Sequence, residues 1–159
     1  MLLPNKKYNI IYADPPWHFE NWNNKTAQTN PNQHYPTMTM KDIANMKVND
    51  IAADDCVLFM WCTDPLLDKQ LPIVKDWGFT YKTVAFHWVK TNKDKTKNYY
   101  FKGPGYWTRA NNEICVLATK GKPKRISPNV DRLVEHPIIL KGYSDFYIDE
   151  KKLVEIKFI

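Results

Sequence analysis

The chain has 159 residues, a formal net charge of +6 and 43% apolar residues. That length is one domain's worth, enough to bury roughly 68–70% of the unfolded surface in a single core without a disulfide or metal staple. No apolar run reaches the ~18 residues of a membrane-crossing helix, and the start MLLPNKK, interrupted at Pro4, does not read as a signal peptide, so a soluble intracellular protein is expected.

Residues 8–13 (YNIIYA) are an apolar run of strand length that ends on Asp14-Pro15-Pro16-Trp17. The two prolines hold φ near about −65° and carry no amide hydrogen, so the strand stops and the Asp14 carboxylate and nearby carbonyls are set at defined angles. Strand ends of an α/β sheet are where such folds place their chemistry. A planar amine such as adenine or cytosine fits this tetrad: its N–H groups donate to Asp14 and the Pro15 carbonyl while its ring meets Trp17. Residues 20–36 follow as a polar loop whose length suggests function or disorder, expected to hang over the same strand end.

Thr39 is expected to cap a short helix through Met46, with Ile43 and Met46 on one face. Residues 56–61 (CVLFMW) read as a strand covered on both faces. Thr63 or Asp64 then caps a helix with Pro65 in its first turn, a stripe of Leu66, Leu67, Leu71, Val74 and Trp77, a kink at Pro72 and an end at Gly78. Residues 81–90 form a strand, 92–107 a basic aromatic loop containing Gly103-Pro104-Gly105, and 113–119 (EICVLAT) another strand, stopped by Lys120-Gly121-Lys122-Pro123. Strand, helix, strand alternation predicts an α/β sheet, with a doubly wound arrangement expected.

The positive charge is concentrated twice. Lys90, Lys93, Lys95, Lys97 and Lys102 bracket Tyr99, Tyr100 and Phe101, and a second cluster holds Lys120, Lys122, Lys124 and Arg125. Cations interleaved with aromatics neutralise phosphates and stack bases, the footprint of a nucleic-acid partner; on charge alone a solvated lysine-rich surface fits equally. Cys56, Cys62 and Cys115 lie in apolar stretches without CxxC spacing, which predicts buried thiols and a reducing cytoplasm. His18, His34, His87 and His136 lack metal-ligand spacing, so no metal is assigned.

Several motifs recur in order: ADPPW at 13–17, HYPTM at 34–38, LFMW at 58–61, WGF at 77–79, WVKT at 88–91, Gly103 and Gly105, then Arg109 with Asn112-Glu113 before an apolar strand. Across residues 8–125 the chain thereby resembles the DPPW-type adenine methyltransferases. These include the catalytic subunit that methylates adenosine in eukaryotic messenger RNA and small bacterial and phage DNA adenine methyltransferases. The resemblance implies a Rossmann-like methyltransferase fold with a mostly parallel sheet, S-adenosylmethionine as methyl donor and adenine's exocyclic amine as acceptor. DNA is expected over RNA, in a bacterial or phage-infected cytoplasm. It implies Asp14, Pro15, Pro16 and Trp17 as catalytic, with Trp17 stacking on or beside the base. Tyr35 lines the base entrance, Lys102 and Arg109 meet the nucleic acid, and Asp14 and Lys90 face the donor. Glu113 is left to orient the loop or pair with Arg109, and Trp61, Trp77 and Trp88 to the core.

The tail departs from that pattern. Family members continue with an HS-x-KP segment, a helix, an ELFAR-like strand and a WGN-like stretch that supply much of the donor pocket. Residues 126–136 follow in a family-like manner, but 137–159 carry none of those signatures. Apolar residues in 138–140, 143–148 and 153–159 are expected to form short strands, or a strand and a helix. Two readings stay open: a C-terminally incomplete fold serving as a silent nucleic-acid-binding or partner subunit, or a divergent but complete enzyme. The first predicts exposed sheet edges that make the protein dimerise or aggregate, with a homodimer or a partner subunit as the expected assembly.

Overall fold

The computed structural model describes residues 3–18, 37–94, 96 and 98–137, and the backbone of Leu153–Ile156. In chain order the elements are β1 (Tyr8–Ala13), α1 (Met40–Ala44), α2 (Val48–Ile51), β2 (Ala52–Cys62), α3 (Leu67–Asp76), β3 (Thr80–Thr91), β4 (Asn112–Lys120), β5 (Leu133–Pro137) and β6 (Leu153–Ile156). They form one mixed sheet in the order β5-β3-β4-β2-β1-β6. β1 runs parallel to β2 and β6, and β3 parallel to β5, while β4 is antiparallel to both neighbours. The mostly parallel, Rossmann-like sheet is as expected.

Alternation along the strands sorts side chains onto two faces. Ile11, Ala13, Leu58, Met60, Ile114 and Val116 belong to one core cluster, and Tyr12, Trp61, Trp88 and Cys115 to a second. β3 serves both faces because its register slips: Val84 pairs with Val116 but Phe86 with Cys115. The extra residue is a bulge that turns Phe86 and Trp88 onto the second face.

Thr39 caps α1 as expected, accepting from the Asp42 amide at 3.1 Å. The cap before α3 differs. Neither Thr63 nor Leu66 makes a side-chain cap. Instead the fully buried Gln70 reaches back, its Oε1 accepting from the Thr63 amide at 3.0 Å and its Nε2 donating to Thr63 Oγ1 at 3.2 Å. Asp64–Leu66 is a 3-10 turn, and α3 then runs through Pro72 unbroken to Asp76. Proline lowers helix stability without ending it where tertiary contacts hold both halves; here Gln70, Ile73 and Val74 are buried on either side. The helix ends in a Schellman turn, with Phe79 N–H donating to Val74 O at 3.0 Å and Gly78 N–H to Lys75 O at 2.9 Å. Gly78 takes φ +84° there, a conformation that favours glycine.

The helices' core residues, Ile43, Val48, Ile51, Ile73 and Val74, all join the first cluster. Among the described residues the helices lie on that one face; the connection from β5 to β6, on which the doubly wound expectation also depends, lies outside them. The tail reading is met in part: residues 153–156 form a strand beside β1, while 138–152 and 157–159 lie outside the described residues.

Candidate active site

Strand directions bring the carboxyl ends of β1, β2, β3 and β5 and the amino end of β4 to one edge of the sheet. Ala13 pairs with Met60 at the end of β1, so Asp14-Pro15-Pro16-Trp17 emerges beside Trp61. The turn is held from within and without. Trp17 N–H donates to Pro15 O at 2.8 Å, and Met38 N–H to Pro16 O at 2.9 Å. The Trp17 indole N–H donates to Trp61 O at 3.1 Å. His18 Nδ1 and Thr37 Oγ1 lie 2.9 Å apart, so the chain on either side of residues 19–36 is clamped at this strand end. Tyr35 and the predicted 20–36 loop lie outside the described residues.

Asp14 is exposed, whereas Pro15, Pro16 and Trp17 are buried. Trp17 is 6% exposed and packs in the first core cluster. It offers a base little of its face; its indole anchors the turn to β2. Two buried thiols, one in each core cluster, feel the Asp14 charge. Burial, with the Asp14 charge adding to it, pushes Cys62 up to about 12. Burial, then Cys62, then Asp14 raise Cys115 further, and burial takes Cys56 to about 11. These thiols are thus uncharged at neutral pH.

A chemical consequence follows. At pH 8 iodoacetamide should label folded Cys62 on the order of a thousandfold more slowly than the urea-unfolded chain, because the thiolate is the nucleophile and its pKa stands at about 12 instead of 9.0. Equal rates would show the thiols to be accessible and ionisable. Since the folded-state values stand above 9.0, the contribution of the neutral thiols to stability is complete below pH 9 and is lost as pH rises through about 11 and 12.

On β3, Lys90 pairs with Glu113 of β4, and its ammonium lies 5.2 Å from the Trp88 ring centroid. Glu113 thus takes Lys90 as its partner, leaving Arg109 exposed with Lys102. β2 and β4 separate β1 from β3, so Lys90 stands three strand spacings, about 14 Å, from Asp14 along the edge. The structure brings the two to one edge but not into contact.

Asn111, which the sequence reading passed over, organises this side. Its Oδ1 accepts from Lys90 N–H at 3.2 Å, and its Nδ2 donates to Lys90 O at 2.9 Å and Phe101 O at 2.5 Å. The only local signal was an Asn doublet before a strand. Lys93, Lys102 and Arg109 lie in the segment at this edge, but Lys120 ends β4 at the opposite edge, where its ammonium donates to Asn49 at 2.8 Å. The two basic clusters therefore do not start from one surface. Lys95 and Lys97 lie outside the described residues. Among the described residues no group of three His, Cys, Asp or Glu is placed to hold a metal ion, and no helix is long and apolar enough to cross a membrane.

The chain is 34% identical over 150 residues to the type II methyltransferase M.MunI of Mycoplasma sp, covering 84% of the chain and 60% of that relative. It is 29% identical over 120 residues to the N6-adenosine-methyltransferase non-catalytic subunit MTB of Arabidopsis thaliana, covering 75% of the chain and 15% of that protein. It is 31% identical over 97 residues to the non-catalytic subunit METTL14 of Drosophila melanogaster, covering 57% of the chain and 24% of that protein. The chain thus spans less than two thirds of the length of each. The MT-A70 family model matches residues 8–148, from the strand that carries the tetrad through β5, and the chain belongs to the MT-A70 family of methyltransferases.

Proposed function

We propose that the chain transfers a methyl group from S-adenosylmethionine to the exocyclic amine of adenine in DNA. One observation carries this reading: an exposed carboxylate, Asp14, on a rigid turn at the carboxyl end of β1, where β2 lies on one side and β6 on the other. In open α/β sheets the crevice at such a reversal of strand order is where ligands bind. The tail lacks the family's signatures, yet it supplies the second strand of that crevice, parallel to β1 with Ala13 opposite Ile156.

A sulfonium donor suits this edge, because the exposed Asp14 presents a negative charge there, and the buried thiols that feel it stay neutral. When bound, the donor supplies an electrophilic methyl group. Adenine's amino lone pair is delocalised into its ring, so acceptors that fix both its hydrogens favour the pyramidal, nucleophilic form. Asp14 is one acceptor. The Pro15 carbonyl is the other: one lone pair takes the Trp17 amide and one remains. Asp14 also opposes the positive charge that develops on the nitrogen. Direct in-line displacement then needs only alignment, with no covalent enzyme intermediate. The base reaches Asp14 only when flipped or single-stranded. Lys90 stands at the same edge, ion-paired with Glu113, and is assigned to the donor side of the site.

A DNA substrate is supported by the likeness to M.MunI, a type II methyltransferase. A second reading, a silent partner subunit, is favoured by the relatives named as non-catalytic subunits. Calorimetric titration with S-adenosylmethionine, followed by labelled-methyl transfer to adenine-containing DNA and RNA, separates them. We expect micromolar donor binding, about −8 kcal/mol, and N6-methyladenine in the DNA digest. Folded protein that binds DNA but no donor would support the silent subunit instead.

A further inference from the structure

We propose that Tyr106 and Trp107 form a stacking wedge that takes the nucleobases beside the target adenine; this rests on the reading of the site just given. The two side chains are 86% and 90% exposed, the most open large aromatics among the described residues. Aromatic rings of this size normally bury most of their surface in a core or an interface.

The loop that carries them is braced. Gly103 N–H donates to Ala110 O at 2.7 Å, closing an antiparallel bridge at its base. At Gly105 a Cβ would lie 1.9 Å from Thr108 O, so the tip turns too tightly for any side chain there. Phe101 N–H donates to Lys90 O at 3.0 Å, and Asn111 ties Phe101 and Lys90 together from the other leg. Two open rings thus stand on a fixed support at the same sheet edge as Asp14.

The chemistry around them selects the partner. Residues 98–112 contain no carboxylate, and Lys102 and Arg109, which precede the two bridge residues, are exposed. Rings between cations match a strand that offers base faces and phosphates in alternation. The other tyrosines of the segment are already engaged. The Tyr99 and Tyr100 hydroxyls donate to Glu135 at 3.0 and 3.3 Å, and their rings meet edge-on at 4.9 Å. They tie the loop to β5, leaving base contact to Tyr106 and Trp107.

The test compares the full chain's affinity for a fluorescein-labelled oligodeoxyadenylate of about 16 nucleotides with that for an abasic strand of equal length, which keeps the phosphates and removes the bases. Wild type should prefer the adenylate strand by roughly tenfold or more. Trp107→Ala should lose most of that preference while its salt dependence stays unchanged, and Trp107→Phe should keep most of it. Quenching of the Trp107 fluorescence by the adenylate strand, absent in Trp107→Phe, reads the same contact without a truncated side chain. Retention of the preference in Trp107→Ala, equal weakening on both strands, or conversion of a dimer to a monomer by that change would each overturn the wedge. Methyl transfer is scored separately. Transfer by wild type with base preference intact in Trp107→Ala overturns the wedge alone; base preference lost in Trp107→Ala without any transfer by wild type overturns the enzymatic reading alone.

Discussion

Asp14→Ala is expected to abolish methyl transfer to adenine, lowering kcat by on the order of a thousandfold or more, while the protein keeps its fold. The carboxylate is exposed, so its removal leaves no cavity, and surface changes of this kind shift stability by about half a kcal/mol. What is lost is the acceptor that fixes the amine and the charge that opposes the developing cation. Removing one preorganised group aimed at transition-state charge typically costs two to three orders of magnitude; here one side chain supplies both effects. Asp14→Asn retains an acceptor oxygen and loses the charge, so it should fall between wild type and alanine. Stopped turnover measured under donor saturation, with the thermal midpoint as control, decides the matter. Most of the turnover surviving in Asp14→Ala would refute the assigned chemistry.

Trp17→Ala is expected to act through stability. The side chain is 6% exposed within the core cluster, and its indole N–H donates to Trp61 O. Truncating a buried tryptophan costs about 3–5 kcal/mol and also removes a partner from a buried carbonyl. For a chain of this size that lowers the thermal midpoint by roughly 10 °C. Trp17→Phe should recover most of the packing but not the hydrogen bond. An open stacking role predicts the opposite pattern: an unchanged midpoint and a raised KM for the nucleic acid. Denaturant unfolding of both variants, read beside their kinetics, distinguishes an anchor of the turn from a platform for the base.

The difference between these two residues, adjacent in motif and unlike in setting, marks where local reading ends. That Asp14-Pro15-Pro16-Trp17 ends a strand was legible, because proline chemistry is local and residues 8–13 are plainly apolar. Which of the four faces solvent was not legible, since it depends on β2 lying beside β1 and on Trp61 O being in reach. The Thr39 cap was readable from three residues of sequence, whereas the Gln70 bond to Thr63 joins a helix interior to a strand end and has no local signature. Lys90 was singled out from its motif, but its pairing with Glu113 follows from the β3–β4 register, with Trp88 opposite Glu113. Asn111 was missed for the same reason.

The amino-acid order by itself determined the strands 8–13, 56–61, 81–90 and 113–119, the rigid turn after the first, the buried thiols and the family, because periodicity, proline geometry and spaced motifs act within a few residues. Tertiary structure decided the rest. It placed β6 beside β1, turned Phe86 and Trp88 across the sheet through a bulge, sent Lys90 and Lys120 to opposite edges, and left Tyr106 and Trp107 in solvent while burying Trp17. Each of these outcomes depends on which strands pair and in what register, a long-range choice settled by the packing of the whole core and visible in no short stretch of chain.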